Sequence, residues 1–85
     1  MQNIKQDIQI CDTLRTYRIK AKLTQEQVVT KLQLNGMDIS RSSYSQIECG
    51  TYNIRISELI ALTEIFEIDF NTIFEKAKER YKINN

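Results

Sequence analysis

Residues 23–50 read LTQEQVVTKLQLNGMDISRSSYSQIECG and contain the clearest signals for helix boundaries in the chain. Thr24 is a favoured N-cap residue, and Gln27 follows at the spacing of a capping box, so a helix is predicted to begin here. Asn35-Gly36 supplies the left-handed conformation in which helices commonly end. The same dipeptide could instead form the turn of a β-hairpin, because apolar residues alternate around it.

A second short helix is predicted after this connection. Ser40 is its expected N-cap, and Gly50 marks its end. Tyr44 and Ile47 lie three residues apart and form its apolar side, so small polar and cationic residues occupy the opposite side. The segment therefore predicts two short helices, the second of which presents a polar face.

The flanking sequence predicts three more helices. They are expected from residue 4 or 7 to 21 with Asp7 as a candidate N-cap, from the end of the loop at 51–55 to Phe66, and from Asp69 or Asn71 to Tyr81. The fold class is accordingly all-α, with five helices in one domain covering residues 1–85. Its core is expected at about residues 7–75, with a C-terminal helix extension at 75–82.

Charge is distributed unevenly along the 85 residues, although the net charge is only +1. From Arg15 to Arg55 seven bases face three acids, whereas from Ser57 onward six acids face four bases. This division favours one surface that meets an anion and another that meets a different partner, although scatter over a solvated surface is the alternative.

Location and redox state follow from composition. No apolar run approaches the length of a membrane span, and the N-terminal residues do not resemble a signal peptide, so a cytoplasmic protein without a membrane partner is expected. Cys11 and Cys49 are the only cysteines. Two reduced thiols are expected in that compartment, and a disulfide between them is the alternative.

Enzymatic activity is not expected. The chain has no histidine, so it lacks the usual general base at neutral pH and cannot form a Ser-His or Cys-His pair. Its acidic residues are scattered, and it has no glycine-rich phosphate loop. We therefore expect no catalytic residue, no metal site and no cofactor.

Three segments in a fixed order carry a family resemblance. LTQEQ at 23–27, ISRSSYSQIECG at 39–50 and SELIALTEIFEIDFNTIF at 57–74 together resemble the phage-repressor and Cro-like helix-turn-helix family, also called the xenobiotic-response-element or lambda-repressor-like family. The resemblance covers roughly residues 10–75. It implies a compact five-helix domain, usually a dimer, that binds operator DNA and regulates transcription.

The resemblance assigns DNA-base readout to the outward face of the second helix of the motif. The matching residues are Arg41, Ser42, Ser45 and Gln46. Arginine can bind guanine through two hydrogen bonds and glutamine can do so with adenine, whereas serine is short and less selective. Arg41 and Gln46 are therefore the preferred readers, and a merely solvated helix face is the alternative.

Phosphate contacts and one ion pair complete the expected site. The phosphate candidates are Gln25, Thr51, Tyr52, Asn53, Arg55, Arg18, Lys22 and Lys31. Gln25 could instead serve only the first turn of its helix, and Tyr52 could equally be a packed aromatic residue. Glu48 lies near a helix C-terminus, where the helix dipole disfavours an acid. The family pairs the matching glutamate with an arginine, which predicts an Arg18–Glu48 ion pair.

Three features depart from the family pattern. Val29 replaces a smaller alanine where two helices cross, which should push them apart or rotate their crossing. The connection QLNGMD at residues 33–38 is longer than usual, and we expect it to extend the first helix of the motif and to be covered by Leu34 and Met37. Arg55 occupies a usual capping position, so that cap is expected to shift to Ser57.

Double-stranded DNA and a second copy of the chain are thus the expected partners. Phe70, Phe74 and Tyr81 are the candidates for the dimer contact, although they could instead complete the core of the monomer. No small-molecule effector is expected. A protein-interaction module, such as an antitoxin of the same fold, is the alternative function, with residues 75–85 as its candidate partner-binding segment. A purely helical scaffold would not explain the polar helix face.

Overall fold

The computed structural model describes residues 10–80 of the chain. It contains the helices α1 (Cys11–Lys20), α2 (Gln25–Leu34), α3 (Arg41–Cys49), α4 (Ile56–Ile65) and α5 (Phe70–Arg80). The predicted all-α fold with five helices is confirmed. The hairpin alternative is wrong, because Asn35 and Gly36 follow directly on the last turn of α2.

Local side-chain caps explain where three of these helices begin. Thr24 Oγ1 accepts the Gln27 amide at 3.1 Å, and the Thr24 amide donates to Gln27 Oε1 at 2.8 Å. This is the predicted reciprocal capping box. Ser40 Oγ likewise accepts the Ser43 amide at 3.1 Å. Asp69, rather than Asn71, caps α5 by accepting the amide of Thr72 at 2.9 Å.

The first helix begins later than its apolar pattern predicts. Ile10 has φ −113° and ψ 0°, outside the helical region, and its carbonyl accepts the Leu14 amide as the first helical hydrogen bond. The start of α1 at Cys11 replaces the predicted start at residue 4 or 7. The proposed Asp7 cap lies outside the described residues.

Four helices end through the same backbone motif. In each, a residue with positive φ follows the C-terminal end, and two amide groups beyond that end donate to carbonyls of the last turn. This is the Schellman arrangement, which satisfies carbonyls that would otherwise lack partners. The left-handed residues are Lys22, Gly36, Gly50 and Glu67. Two of them are not glycine, and their side chains make this conformation costly.

The α2–α3 connection differs from its predicted form. The helix does not extend through residues 33–38 but ends at Leu34, whose side chain is 82% exposed and covers nothing. Met37 does pack against the core. The amide of Met37 donates to the Leu32 carbonyl, and Gln33 Nε2 donates to the Ile39 carbonyl, both at 3.0 Å. These bonds give the long connection a defined path.

The beginning of α4 also requires a correction. The cap does not shift to Ser57, because the helix starts at Ile56 with Arg55 in the N-cap position. The guanidinium group of Arg55 has no hydrogen-bond acceptor, so it cannot cap in the usual way. Instead, Glu58 Oε1 accepts the Arg55 amide at 2.9 Å. Glu58, in the first turn, thus forms the half of a capping box that bonds the N-cap amide.

One apolar core joins all five helices. Its members that are entirely excluded from solvent are Leu14, Val28, Leu32, Tyr44, Ile47, Ile54, Leu62 and Ile73. Helix α3 packs on α1 and α2, α4 packs on α2, and α5 packs on α1. Val29 is 6% exposed and belongs to the same core. This packing leaves one side of α3 facing outward.

Candidate nucleic-acid interface

The exposed side of α3 carries the four predicted base-reading residues. Arg41, Ser42 and Gln46 are exposed and Ser45 is half-buried. The first turn contains Arg41 and no acidic residue, so a side-chain cation adds to the positive end of the helix dipole. The arrangement offers one bidentate donor, one amide and two short hydroxyls on the same surface.

A buried polar network fixes α3 from behind. Arg18 Nε donates to Glu48 Oε2 at 2.7 Å, and Arg18 Nη2 donates to Glu48 Oε1 at 3.1 Å. The structure therefore contains the ion pair expected from the sequence. The Arg18 side chain is only 14% exposed and that of Glu48 only 3%. Such a bidentate, partly desolvated pair restricts both side chains to a narrow geometry.

Gln25 joins the same network from α2. Its Nε2 donates to Glu48 Oε1 at 3.1 Å, and Arg18 Nη1 also donates to the Leu23 carbonyl at 2.9 Å. Three helices consequently meet at one carboxylate. The Arg18 and Gln25 side chains are engaged within the protein, so only their remaining N–H groups are available to a phosphate.

The charge of Glu48 is maintained despite its burial. Burial alone would raise the pKa of its carboxyl, but the hydrogen bonds from Arg18 and Gln25 outweigh that effect and hold the pKa below its ordinary value. The same contact raises the pKa of Arg18. Burial, together with the neighbouring Glu48, raises the pKa of Tyr44. The Tyr44 hydroxyl lies buried beside the network without a well-formed hydrogen bond.

The loop after α3 presents two of its predicted phosphate ligands to solvent. Thr51 and Asn53 are exposed, whereas Ile54 is completely buried and anchors the chain. Tyr52 packs against the core, and its hydroxyl donates to Glu58 Oε2 at 3.3 Å. Arg55 is exposed at the end of this loop. Tyr52 is therefore a packed aromatic residue, the second of the two alternatives that the sequence left open.

The two predicted phosphate lysines belong to other segments of the chain. Lys22 is exposed in the turn after α1. Lys31 lines a shallow groove between the C-terminal ends of α2 and α4, together with Leu34, Glu64 and Glu67. Lys31 thus shares a groove with Glu64 of α4 and with Glu67, which follows that helix.

Glu58 is the residue of this region that sequence reasoning missed. It is only 2% exposed and bonds to both Tyr52 and the backbone of Arg55. Its position three residues after the N-cap is the spacing of a capping box. The capping-box spacing of Glu58 is visible in the sequence. It was not recognised because arginine is not a usual N-cap residue, and the cap was therefore predicted at Ser57.

The aromatic residues assigned to a dimer contact lie on the outer side of α5. Phe70 and Phe74 are 40% and 44% exposed, and their ring centroids are 6.3 Å apart at an interplanar angle of 24°. Ile73 between them in the sequence is fully buried. Tyr81 lies outside the described residues.

The two cysteines lie in different surroundings. Cys11 is buried and Cys49 is exposed, and they are not joined by a disulfide. Within residues 10–80 no cluster of three or more histidine, cysteine or acidic side chains could hold a metal ion. The same range contains no helix of the length and apolarity needed to cross a bilayer.

Comparison with known proteins bears on the whole described fold. The model of one family, described as a helix-turn-helix domain, matches residues 13–79 and so spans all of α2 to α4 and most of the flanking helices. No curated protein and no solved structure matches the chain significantly.

Proposed function

Because the chain belongs to the helix-turn-helix domain family, we propose that it is a sequence-specific DNA-binding transcriptional repressor of the phage-repressor and Cro-like type. Two copies bind a palindromic operator, and each inserts α3 into the major groove. The observation that carries the proposal is the polar outer face of α3, which is held from behind by the buried Arg18–Glu48 pair.

Base readout belongs to the outer face of α3. The Arg41 guanidinium can donate two hydrogen bonds to a guanine, and the Gln46 amide can bind an adenine edge. Ser42 and Ser45 are short and allow the helix backbone to approach the bases. A helix of this diameter fits the major groove of B-form DNA, where each base pair presents a distinct pattern.

Phosphate contacts belong to the edges of this face. The Thr51 hydroxyl and the Asn53 amide are exposed donors directly after α3, and Arg55 adds a cation. The N-terminus of α2 and the remaining N–H of Gln25 contribute on the other side. These contacts position the domain without reading sequence. Lys22 supports the interaction at longer range, and Lys31 contributes least because it lies beside Glu64 and Glu67.

The dimer contact belongs to α5. The exposed stacked pair Phe70–Phe74 forms an apolar surface suited to the same surface on a second copy. For both α3 helices to enter successive major grooves, this dimer must hold them about 34 Å apart, one turn of the DNA helix. The same aromatic pair favours the second candidate function, an antitoxin-like module that holds a partner protein on α5.

The test is selection of binding sites from random duplexes, followed by affinity measurements at two salt concentrations. An enriched palindrome with a steep salt dependence is the expected result. Arg41→Ala should relax the preference at one base position of each half-site, whereas Arg55→Ala should weaken binding to all sequences and reduce the salt slope by about one. Enrichment of no sequence would refute the operator proposal.

A further inference from the structure

The loop between α3 and α4 is held at both ends by one buried carboxylate. Glu58 Oε2 accepts the Tyr52 hydroxyl at 3.3 Å, and Glu58 Oε1 accepts the backbone amide of Arg55 at 2.9 Å. The two partners stand on either side of Asn53 and Ile54. A single side chain of α4 therefore ties together the beginning and the end of the segment.

The surroundings of this carboxylate make the tie specific. Glu58 is 2% exposed, and a buried carboxylate is stable only with hydrogen-bond donors directed at it. Burial, reinforced by the neighbouring Glu58 charge, raises the pKa of the Tyr52 hydroxyl, so Tyr52 keeps its proton and remains a donor. Ile54 is fully buried between the two bonded residues and gives the loop a third anchor.

Two exposed side chains of the same loop can bind phosphate more favourably if the loop is already ordered. Thr51 directly precedes Tyr52, and Asn53 lies between Tyr52 and Ile54. Both are exposed. A neutral hydrogen bond to a phosphate adds to affinity only if the loop does not lose much conformational entropy when it binds. Fixing Tyr52 and Arg55 before binding removes that cost.

We propose that Glu58 is a positioning residue for DNA affinity, which holds the 51–55 loop in the conformation that presents Thr51 and Asn53 to phosphates. It does so without touching DNA. The inference rests on the proposed DNA-binding function and adds to it a residue on α4, outside the helix-turn-helix itself. The effect is independent of sequence, because phosphate contacts carry no base information.

The experiment compares Tyr52→Phe, Glu58→Ala and the double variant with Glu64→Ala. Glu64 is an exposed glutamate of the same helix, so this control reports the gain in affinity from removing one negative charge. These four variants and the wild type are measured at temperatures well below their unfolding midpoints, on the selected operator and on an unrelated duplex. Hydrogen exchange of the Arg55 amide in the DNA-free proteins reports directly on its hydrogen bond to Glu58.

For Tyr52→Phe, we expect DNA affinity to fall about threefold to tenfold below that of wild type on both duplexes, the worth of one net hydrogen bond. For Glu58→Ala, we expect the same loss relative to the Glu64→Ala control, which also lacks one negative charge. The double variant should lose no more than the worse single variant, because both act through one contact. The salt slope should not change, since no cation is removed. Arg55 amide protection should fall in Glu58→Ala and in the double variant, but not in Tyr52→Phe, because only the first two lack the carboxylate that accepts this amide.

Different results would refute the proposed DNA-binding function and the proposed role of Glu58. If the wild-type chain selects no DNA sequence, the proposed function fails. If the wild type binds its operator and the folded variants bind equally well, the positioning role of Glu58 fails alone. Additive losses in the double variant would also overturn it, because they would mean that the Tyr52 hydroxyl contacts DNA directly.

Discussion

Replacing Glu48 with glutamine tests the buried network most directly. The substitution Glu48→Gln keeps the size of the side chain but removes the charge that Arg18 binds at 2.7 Å. Loss of one partner from a buried ion pair costs about 3–5 kcal/mol. We expect about 3 kcal/mol, the lower end of that range, because Arg18 is 14% exposed and still donates to the Leu23 carbonyl.

That loss is large for a chain of 85 residues. Domains of this size are stable by about 4–13 kcal/mol, and each kcal/mol shifts the thermal midpoint by about 4–8 °C. Glu48→Gln should therefore lower the midpoint by about 12–24 °C at pH 7. Chemical denaturation followed by circular dichroism measures the free energy, and the exposed Glu64→Gln is the matched control, expected within about 0.5 kcal/mol of wild type.

The pH dependence of the stability difference between wild type and Glu48→Gln tests whether the charge of Glu48 is responsible. The folded-state pKa of Glu48 lies below its ordinary value of 4.5, so its contribution is complete above that value and is lost as the pH falls through the folded pKa. The gap between wild type and Glu48→Gln should be constant from pH 7 to about 5 and narrow towards pH 3. An equal gap at pH 3 and pH 7, or no gap at pH 7, would contradict the reasoning.

Three further predictions concern a turn, a cap and the aromatic surface. Glu67→Gly should raise the free energy of unfolding by about 1 kcal/mol, because Glu67 has φ +56°, whereas the same change at helical Glu64 should lower it by about 1 kcal/mol; urea titration distinguishes them. Thr24→Ala should cost about 1 kcal/mol through loss of the α2 cap, measured in the same way, and an unchanged midpoint would contradict the role of the capping box. Phe74→Ser should weaken self-association in analytical ultracentrifugation, while Leu34→Ser, at a more exposed apolar residue, should not; equal effects would point to non-specific association.

Features that depend on neighbouring residues were predictable from the sequence. The caps at Thr24 and Ser40, the turn at Gly36 and the end at Gly50 each involve groups within a few residues of one another. The apolar spacing of Tyr44 and Ile47 likewise identified the inward side of α3, and hence its polar outer side. Resemblance to a family, rather than spacing, supplied the pairing of residues 18 and 48.

Errors arose where a local pattern competed with packing. Leu34 fits the apolar side of α2, yet the helix ends there and the residue is 82% exposed. Arg55 is a poor capping residue, which suggested a later start for α4. The helix nevertheless starts at Ile56, and the buried Glu58 carboxylate in its first turn accepts the Arg55 amide.

The order of the helices, most of their ends and the polar composition of α3 can be read from the sequence, because they follow from hydrogen bonds and side-chain periods within a single segment. What those side chains bind depends on how the helices pack. Arg18, Gln25 and Glu48 meet because α1, α2 and α3 pack together, and the resulting burial commits their donors to one another. Packing likewise places Lys31 in a groove with Glu64 and Glu67, and it brings Glu58 to the loop at residues 51–55. Such contacts between distant segments depend on packing that no local pattern specifies.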